Sequence, residues 1–433
     1  MIFFCIFRKN GYFTGMMKRY LLLFFCGMSL FAQEIPDRLR KQALSGDRES
    51  MLKLAHEYFH GAEGRRPDRT IASYWYRKAA EAGVPEGMYN YGVCLLNGYG
   101  ANRNRYEAVQ WFRRAADAGV KMARLHVATI TISGLPEDAG NGTPEIPPLP
   151  EYGLSLLKEL AAEQFIPAEL AYAQLLLQRN EPGGIGEAVA ILNRLAALKD
   201  PPSPALRMLA DCKFGGIGMK RDQEGMLRLL RQASRLGDAE ALGKLAYCYE
   251  YGRAVSADLP RAFNLYRLSA ERGNAMSQFK YAEFLANGTL SGKPDLPAAL
   301  QWYKQAAEQD NPQALFRLGV FCLEGIGLKK NEREASALFF RAAKQGYARA
   351  QYNLGCMYAA GQGELEKDET AAVYWFTLAA QKGDAPAQRV LGLRYLEGRG
   401  VTRSITRGEE WLLKAARSGD FEAMEILRKR GLL

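Results

Sequence analysis

Two histidines four residues apart flank a glutamate in His56-Glu57-Tyr58-Phe59-His60, a match to H-E-x-x-H. On a helix this spacing puts His56 and His60 on one face, where two imidazoles can share a zinc ion. Glu57 would then be placed to take a proton from a metal-bound water. A zinc hydrolase takes a third protein ligand, and the chain holds one further histidine, His126; Glu81 is a candidate by sequence distance alone. Four Gly-x-Gly triplets (Gly98-Tyr99-Gly100, Gly216-Ile217-Gly218, Gly325-Ile326-Gly327 and Gly398-Arg399-Gly400) invite a phosphate-loop reading. Nucleotide fingerprints, however, need a preceding strand and sit within a βαβ unit. No P-loop, G-x-S-x-G or paired-carboxylate arrangement stands out.

The elements that must carry these residues follow from a repeat. All five tryptophans (Trp75, Trp111, Trp302, Trp375 and Trp411) lie five residues before the second alanine of an Ala-Ala pair. Leu157, Leu192, Leu229, Leu265 and Leu338 hold the same slot in five further copies. The second alanine position (Ala80, Ala116, Ala162, Ala197, Ser234, Ala270, Ala307, Ala343, Ala380, Ala416) advances by 35 to 37 residues at every step but one. A period in that range marks a helical repeat array, in which each unit buries its apolar face only against its neighbours. In residues 312–346, Ala314, Leu318 and Cys322 fall on one face of a first helix, and Gly325-Ile326-Gly327 breaks it. Ala335, Leu338, Phe339, Ala342 and Ala343 then line a second helix, closed by Gly346. Leu54, Tyr91, Leu209, Leu245, Tyr281, Leu318, Leu354 and Leu391 take the core slot of the first helices, each followed by Gly or Ala. The large Trp or Leu is expected to fill the space between helices that these small residues open.

Within that frame, Leu54-Ala55-His56-Glu57-Tyr58-Phe59-His60-Gly61 reads as Leu-Gly-x-x-Tyr-x-x-Gly, so Tyr58 and Gly61 are structural. The H-E-x-x-H match is therefore expected to be a coincidence, and the glycine triplets are expected to be turns. No catalytic residue, cofactor or metal site is expected. The alternative is a secreted hydrolase or a zinc-dependent enzyme using His56, Glu57 and His60.

The segment Leu354-Gly355, Tyr358, Gly361-Gln362-Gly363, Ala372, Trp375-Phe376, Ala379-Ala380 and Gly383 resembles the Sel1-like repeat family, relatives of the tetratricopeptide repeats. The resemblance covers about residues 37–430 in ten copies. It implies an all-α, right-handed α-α solenoid with terminal capping helices, used as a protein-interaction scaffold. It brings no shared catalytic residues. Exported members of the family resemble cysteine-rich proteins with one disulfide per repeat, a pattern this chain lacks.

The expected organisation begins with a signal peptide over residues 1–32, with Lys18-Arg19 before an apolar run at 21–31 that is too short to span a bilayer. Residues 1–16 read as an extension upstream of the true start. A capping helix over 33–46 precedes repeats at 47–133 and a Pro/Gly-rich insertion at 134–153. Divergent repeats follow at 154–200, regular ones at 201–419 and a closing helix at 420–433. The array is expected to bend or loosen at the insertion. The protein is thus expected to be periplasmic or secreted, with no stable membrane insertion after cleavage. Cys94, Cys212, Cys248, Cys322 and Cys356 share one phase of the first helices, which suits small buried hydrophobes; a Cys212–Cys248 bridge stays open.

The formal charge of +11 falls to +7 without residues 1–32, which carry Arg8, Lys9, Lys18, Arg19 and no acid. That is a mild bias toward acidic partners, and the absence of a Lys/Arg block sets nucleic acid aside. The residue before each core slot points about 100° away from it on a helix. There Lys244, Lys280 and Arg317 should form a cationic ladder, continued by Asn353, with Phe279, Phe316 and Tyr352 beside them. Tyr247 and Glu283 lie two residues beyond the core slot. Together Lys244, Tyr247, Lys280, Glu283, Arg317 and Asn353 make a candidate groove for an extended acidic or C-terminal peptide.

Overall fold

The computed structural model describes residues 35–61, 66–136 and 145–433. The expected signal segment 1–32 lies outside the described residues. The described chain is all-α: an α-helical repeat solenoid whose one β feature among those residues is an isolated bridge between Leu135 and Ile146. It divides into two compact units, residues 1–236 and 237–433.

Among the described residues the first unit begins with α1 (Ile35–Leu44) and continues as helix pairs. These are α2 (Arg48–His60) with α3 (Arg69–Glu81), α4 (Pro85–Asn97) with α5 (Arg105–Asp117), and α6 (Lys121–Ser133) with α7 (Pro150–Ala162). Then come α8 (Ile166–Arg179) with α9 (Pro182–Ala196), and α10 (Ser203–Gly215) with α11 (Gln223–Arg235). The second unit pairs α12 (Ala239–Tyr251) with α13 (Leu259–Glu271), α14 (Ala275–Asn287) with α15 (Leu296–Glu308), and α16 (Pro312–Glu324) with α17 (Glu332–Lys344). It ends with α18 (Ala348–Ala360) and α19 (Glu369–Gln381), α20 (Ala385–Glu397) and α21 (Ile405–Arg417), and a lone α22 (Phe421–Lys429). Because α7 begins at Pro150, the end of the segment expected to be irregular, 134–153, is helical. No helix among the described residues is long and apolar enough to cross a membrane.

Local chemistry sets the helix ends. Asp47, Asp68, Asn104, Asp258, Asn311, Asp368, Asp384 and Asp420 each accept a bond at the N-cap from a backbone N–H in the first turn. First helices close on left-handed glycines such as Gly98 and Gly398. The second glycine of each triplet has a different reason. A Cβ on Gly100 would lie 1.8 Å from the carbonyl oxygen of Arg69, and one on Gly400 2.1 Å from that of Glu369. At these two places the turn presses against the start of the preceding second helix, where only hydrogen fits.

The interior shows which large residue fills the space between helices, and it is not the tryptophan. Trp75 is buried, but Trp111, Trp302, Trp375 and Trp411 are half-buried. Their C-terminal neighbours Tyr76, Phe112, Tyr303, Phe376 and Leu412 are enclosed, as is Tyr266 after Leu265 and Phe339 after Leu338. These rings face the small residue of the first helix: a Cβ on Gly319 would stand 2.6 Å from Phe339, and one on Gly355 2.7 Å from Phe376. In α7 and α9 the enclosed residues are Leu157 and Leu192 themselves, with Leu160 and Leu195 where the first alanine of the pair stands elsewhere. The frame there is one residue off the sequence alignment, which had paired Ala162 and Ala197 with Ala116. Cys94, Cys212, Cys248 and Cys322 are buried thiols, Cys356 is half-buried, and none is bridged.

The two faces of this slot predict different costs. Phe376, 1% exposed, should lose about 3–5 kcal/mol of stability as Phe376→Ala. Gly355→Ala should lose about 1–3 kcal/mol, because its methyl has no room beside that ring. Urea denaturation should show Trp375→Ala costing less than Phe376→Ala; the reverse order would restore the tryptophan as the core residue.

Candidate functional site

His56 and His60 do share a face of α2, with ring centroids 6.4 Å apart and planes 14° from parallel. The hydroxyl of Tyr76, from α3, lies 2.9 Å from Nδ1 of His56. Burial, then the neighbouring His60, push the His56 pKa down to about 4, so the ring is neutral at pH 7 and Nδ1 can accept the phenol proton. The structure does not bring the other candidate ligands to the pair. His126 is half-buried against Phe112 and Tyr89, with Nδ1 at 2.9 Å from the carbonyl of Met122. Glu81 is held by Arg77 at 2.8 Å and Lys78 at 3.2 Å. Among the described residues, no three His, Cys, Asp or Glu side chains gather as a metal set.

His56 stands two residues beyond the core slot Leu54, the phase that Glu283 holds beyond Tyr281. Its role follows from the enclosed ring position. Where that ring is Phe or Leu it asks for nothing polar, but at Tyr76, Tyr266 and Tyr303 a buried hydroxyl must find a partner. Each finds one on the first helix of its own repeat: His56, Glu250 and Glu283.

In the second unit these carboxylates continue into the next repeat. Tyr266 of α13 donates to Oε2 of Glu250 on α12 at 2.6 Å, and Lys280 of α14 donates to Oε1 of the same group at 2.9 Å. Lys280 also donates to the hydroxyl of Tyr251 at 2.9 Å. One repeat on, Tyr303 of α15 donates to Oε1 of Glu283, and Arg317 of α16 donates to Oε2 at 2.9 Å. Burial opposes the charge on Lys280, yet its bonds to Glu250 and Tyr251 outweigh that and hold its pKa above the ordinary value. For Tyr303, burial first and then Glu283 push the phenol pKa upward, keeping it a donor.

The sequence ladder is thus present, but it is not a free cationic strip. Lys280 and Arg317 are neutralised by Glu250 and Glu283, and Lys244 lies 3.4 Å from Glu240 on its own helix. Glu283, expected as a groove residue, is the clamp for Arg317. Asn353 is half-buried on α18. Phe279, Phe316 and Tyr352 pack on the enclosed rings Tyr303, Phe339 and Phe376 at 6.0, 5.8 and 5.8 Å. What the face does expose is Tyr247 (41%) and Tyr251 (51%), tilted rings 4.6 Å apart one turn from each other on α12. Sequence reading missed Glu250 and Tyr251, which lie outside the first-helix positions it compared; the tyrosines at 266 and 303 were the signal that acceptors must exist.

The model for the Sel1 repeat matches residues 48–84, 85–120, 203–238, 239–274, 275–311, 312–347, 348–384 and 385–420. Residues 121–202 between these matches hold α6 to α9, including the two second helices whose frame is offset. An uncharacterized protein of Neisseria meningitidis serogroup B is 26% identical over 302 residues, 69% of this chain and 52% of that protein. The chain therefore spans about half the length of that curated relative. Among solved structures, a Sel1 repeat protein from Oxalobacter formigenes is 25% identical, with a TM-score of 0.49 over 56% of this chain and 96% of its own. A protective antigen of uropathogenic Escherichia coli with an SLR fold is also 25% identical, with a TM-score of 0.43 over 91% of this chain and 90% of its own.

The neutral His56 makes folding depend on pH. Its pKa falls from 6.5 to about 4, so between those values the unfolded chain binds a proton that the folded chain does not. The stability it contributes is complete above pH 6.5 and declines as pH falls toward 4, by at most about 3 kcal/mol at ~1.4 kcal/mol per unit. His56→Gln keeps an acceptor for Tyr76 and should flatten that decline in urea titrations at pH 7 and pH 5. His126, also shifted downward by desolvation, supplies the residual slope. Identical pH dependence in both proteins would refute the assignment.

Proposed function

The chain belongs to the Sel1 repeat family, and on that premise we propose a non-enzymatic scaffold that holds an extended protein segment on the first-helix face of its second unit. The observation that carries this reading is the bonding across repeats that runs from the enclosed Tyr266 and Tyr303 through Glu250 and Glu283 to Lys280 and Arg317. Side chains fixed before a partner arrives lose little entropy when it docks. Because the cations are already paired, the partner is not chosen by acidity alone. The alternating carboxylates and cations suit a segment with exposed backbone and mixed polarity, and Tyr247 with Tyr251 offers aromatic surface for an apolar side chain. Residues 244, 247, 280, 283, 317 and 353 remain the proposed contact set, joined by Tyr251.

Export to the periplasm or beyond is part of the proposal, supported by the charged, apolar and small-residue order of residues 17–34. A scaffold role rather than catalysis is supported by the engagement of His56 with Tyr76 and by the repeat frame that accounts for Tyr58 and Gly61.

Capture from bacterial envelope extracts tests the face. Tyr247→Ala/Tyr251→Ala removes the Tyr251 acceptor but leaves Lys280 bonded to Glu250, so the fold should persist while the variant retains at least tenfold less partner. An unchanged partner set would remove this face from consideration. Purified protein should carry substoichiometric zinc, and Glu57→Gln should bind its partner as wild type does. One zinc per chain, with a hydrolytic activity lost in Glu57→Gln, would overturn the scaffold reading.

A further inference from the structure

The second helices of the second unit carry an aromatic shelf that the scaffold does not require. Phe340 on α17 is 41% exposed and Tyr374 on α19 is 58% exposed. Both pack on the same half-buried indole: Phe340 stands 6.1 Å from Trp375 at 75°, and Tyr374 stands 5.2 Å from it at 77°. The chain's own repeats supply the control. In the other repeats of the second unit the positions equivalent to Tyr374 hold Asn264, Gln301, Ala337 and Glu410, and those equivalent to Phe340 hold Arg267, Lys304, Thr377 and Leu413. In the first unit Tyr74 stands 5.3 Å from Trp75 at 81°, as Tyr374 does from Trp375, so what sets this place apart is the second ring, Phe340. No helix packing demands a ring at either place, and here two large rings meet at one tryptophan and stay in water.

One cation stands over the shelf, and a second lies on the same pair of helices. Lys344 lies 5.5 Å from the Phe340 ring, and Lys382 bonds the Gly346 carbonyl at 2.6 Å with other ammonium protons left over. The carboxylates Asp310 and Glu369 are bound by Arg341 and Arg394. Ring faces are negative in their quadrupole and attract positively polarised C–H groups. A flat ligand with C–H faces and pendant anions satisfies both features. The geometry points to a second binding site, on Phe340, Tyr374, Trp375, Lys344 and Lys382, for an acidic saccharide chain. Its sugar rings lie on the shelf, and its carboxylates or phosphates meet the two ammonium groups. The ammonium groups disfavour a cationic ligand at the same rings.

Affinity electrophoresis of the full purified chain tests this in gels containing polygalacturonate, neutral dextran or polyaspartate. Tyr374→Ala and Phe340→Thr place at each site a residue that a neighbouring repeat already holds there, so both should melt with the wild type. Polygalacturonate should retard the wild type, with the apparent dissociation constant rising at least tenfold in either variant. Dextran and polyaspartate should retard neither. Equal retardation of wild type and variants, no retardation by polygalacturonate, or equal retardation by polyaspartate would overturn the proposal. So would binding of phosphatidylglycerol vesicles in the absence of saccharide retardation. Protein capture through Tyr247 and Tyr251 should be unaffected by these variants, which separates this site from the first-helix face.

Discussion

The contact on which the array depends is between one enclosed side chain of each second helix and a residue with almost no side chain on the first. Phe112, Phe339, Phe376 and Leu412 lie where a methyl on Gly92, Gly319, Gly355 or Gly392 would collide. Ala55, Ala210, Ala246 and Ala282 take the small position opposite Tyr76, Leu230, Tyr266 and Tyr303. Such a contact is local to one hairpin, and the alanines that flank it let the next hairpin come close. Stability in a repeat array is a sum of such units and their nearest-neighbour interfaces, so each copy must satisfy the constraint for itself.

The polar chemistry follows from how each copy meets that constraint. A phenylalanine closes the contact with carbon alone. A tyrosine buries a hydroxyl, and leaving it unpaired costs ~1–3 kcal/mol. That cost selects an acceptor on the facing helix, and an acidic acceptor in a half-buried place in turn favours a cation within reach. Tyr303 calls for Glu283 and Glu283 for Arg317; Tyr266, Glu250 and Lys280 repeat the sequence of demands. In the first unit Tyr76 ends the sequence at once with a neutral imidazole. The histidine that imitates a zinc ligand and the lysine that imitates a free anion contact are consequences of a core tyrosine.

The fold was legible because the repeat writes each rule many times: period, glycine triplets and alanine pairs fix helix pairs without any one copy having to be clear. Tryptophan was misassigned as the core residue because sequence periodicity finds a phase, and adjacent residues of a helix differ by about 100°, enough to separate an enclosed ring from a half-buried one. The offset in α7 and α9 arose where alanine pairs were the sole guide, since Leu160-Ala161-Ala162 and Leu195-Ala196-Ala197 each permit two alignments. The candidate face was legible in its positions and not in its charge. A ladder of Lys244, Lys280 and Arg317 can be counted along one helix phase, but Glu250 lies six residues after Lys244 and meets Lys280 only when two hairpins stack.

The same reasoning locates where specificity can reside in such a protein. Positions that answer the packing constraint repeat from copy to copy, so their identity says how the solenoid holds together. A position that departs from its equivalents without a packing reason is free to answer to a ligand. Tyr247 and Tyr251 depart in this way on the first helices, where Glu283 and Asn287, then Val320 and Glu324, stand one and two repeats on. Phe340 departs on the second helices, and Tyr374 departs from its equivalents in the second unit, with Tyr74 as its counterpart in the first. Neither pair lies in the enclosed core, and each sits on side chains that the core holds still.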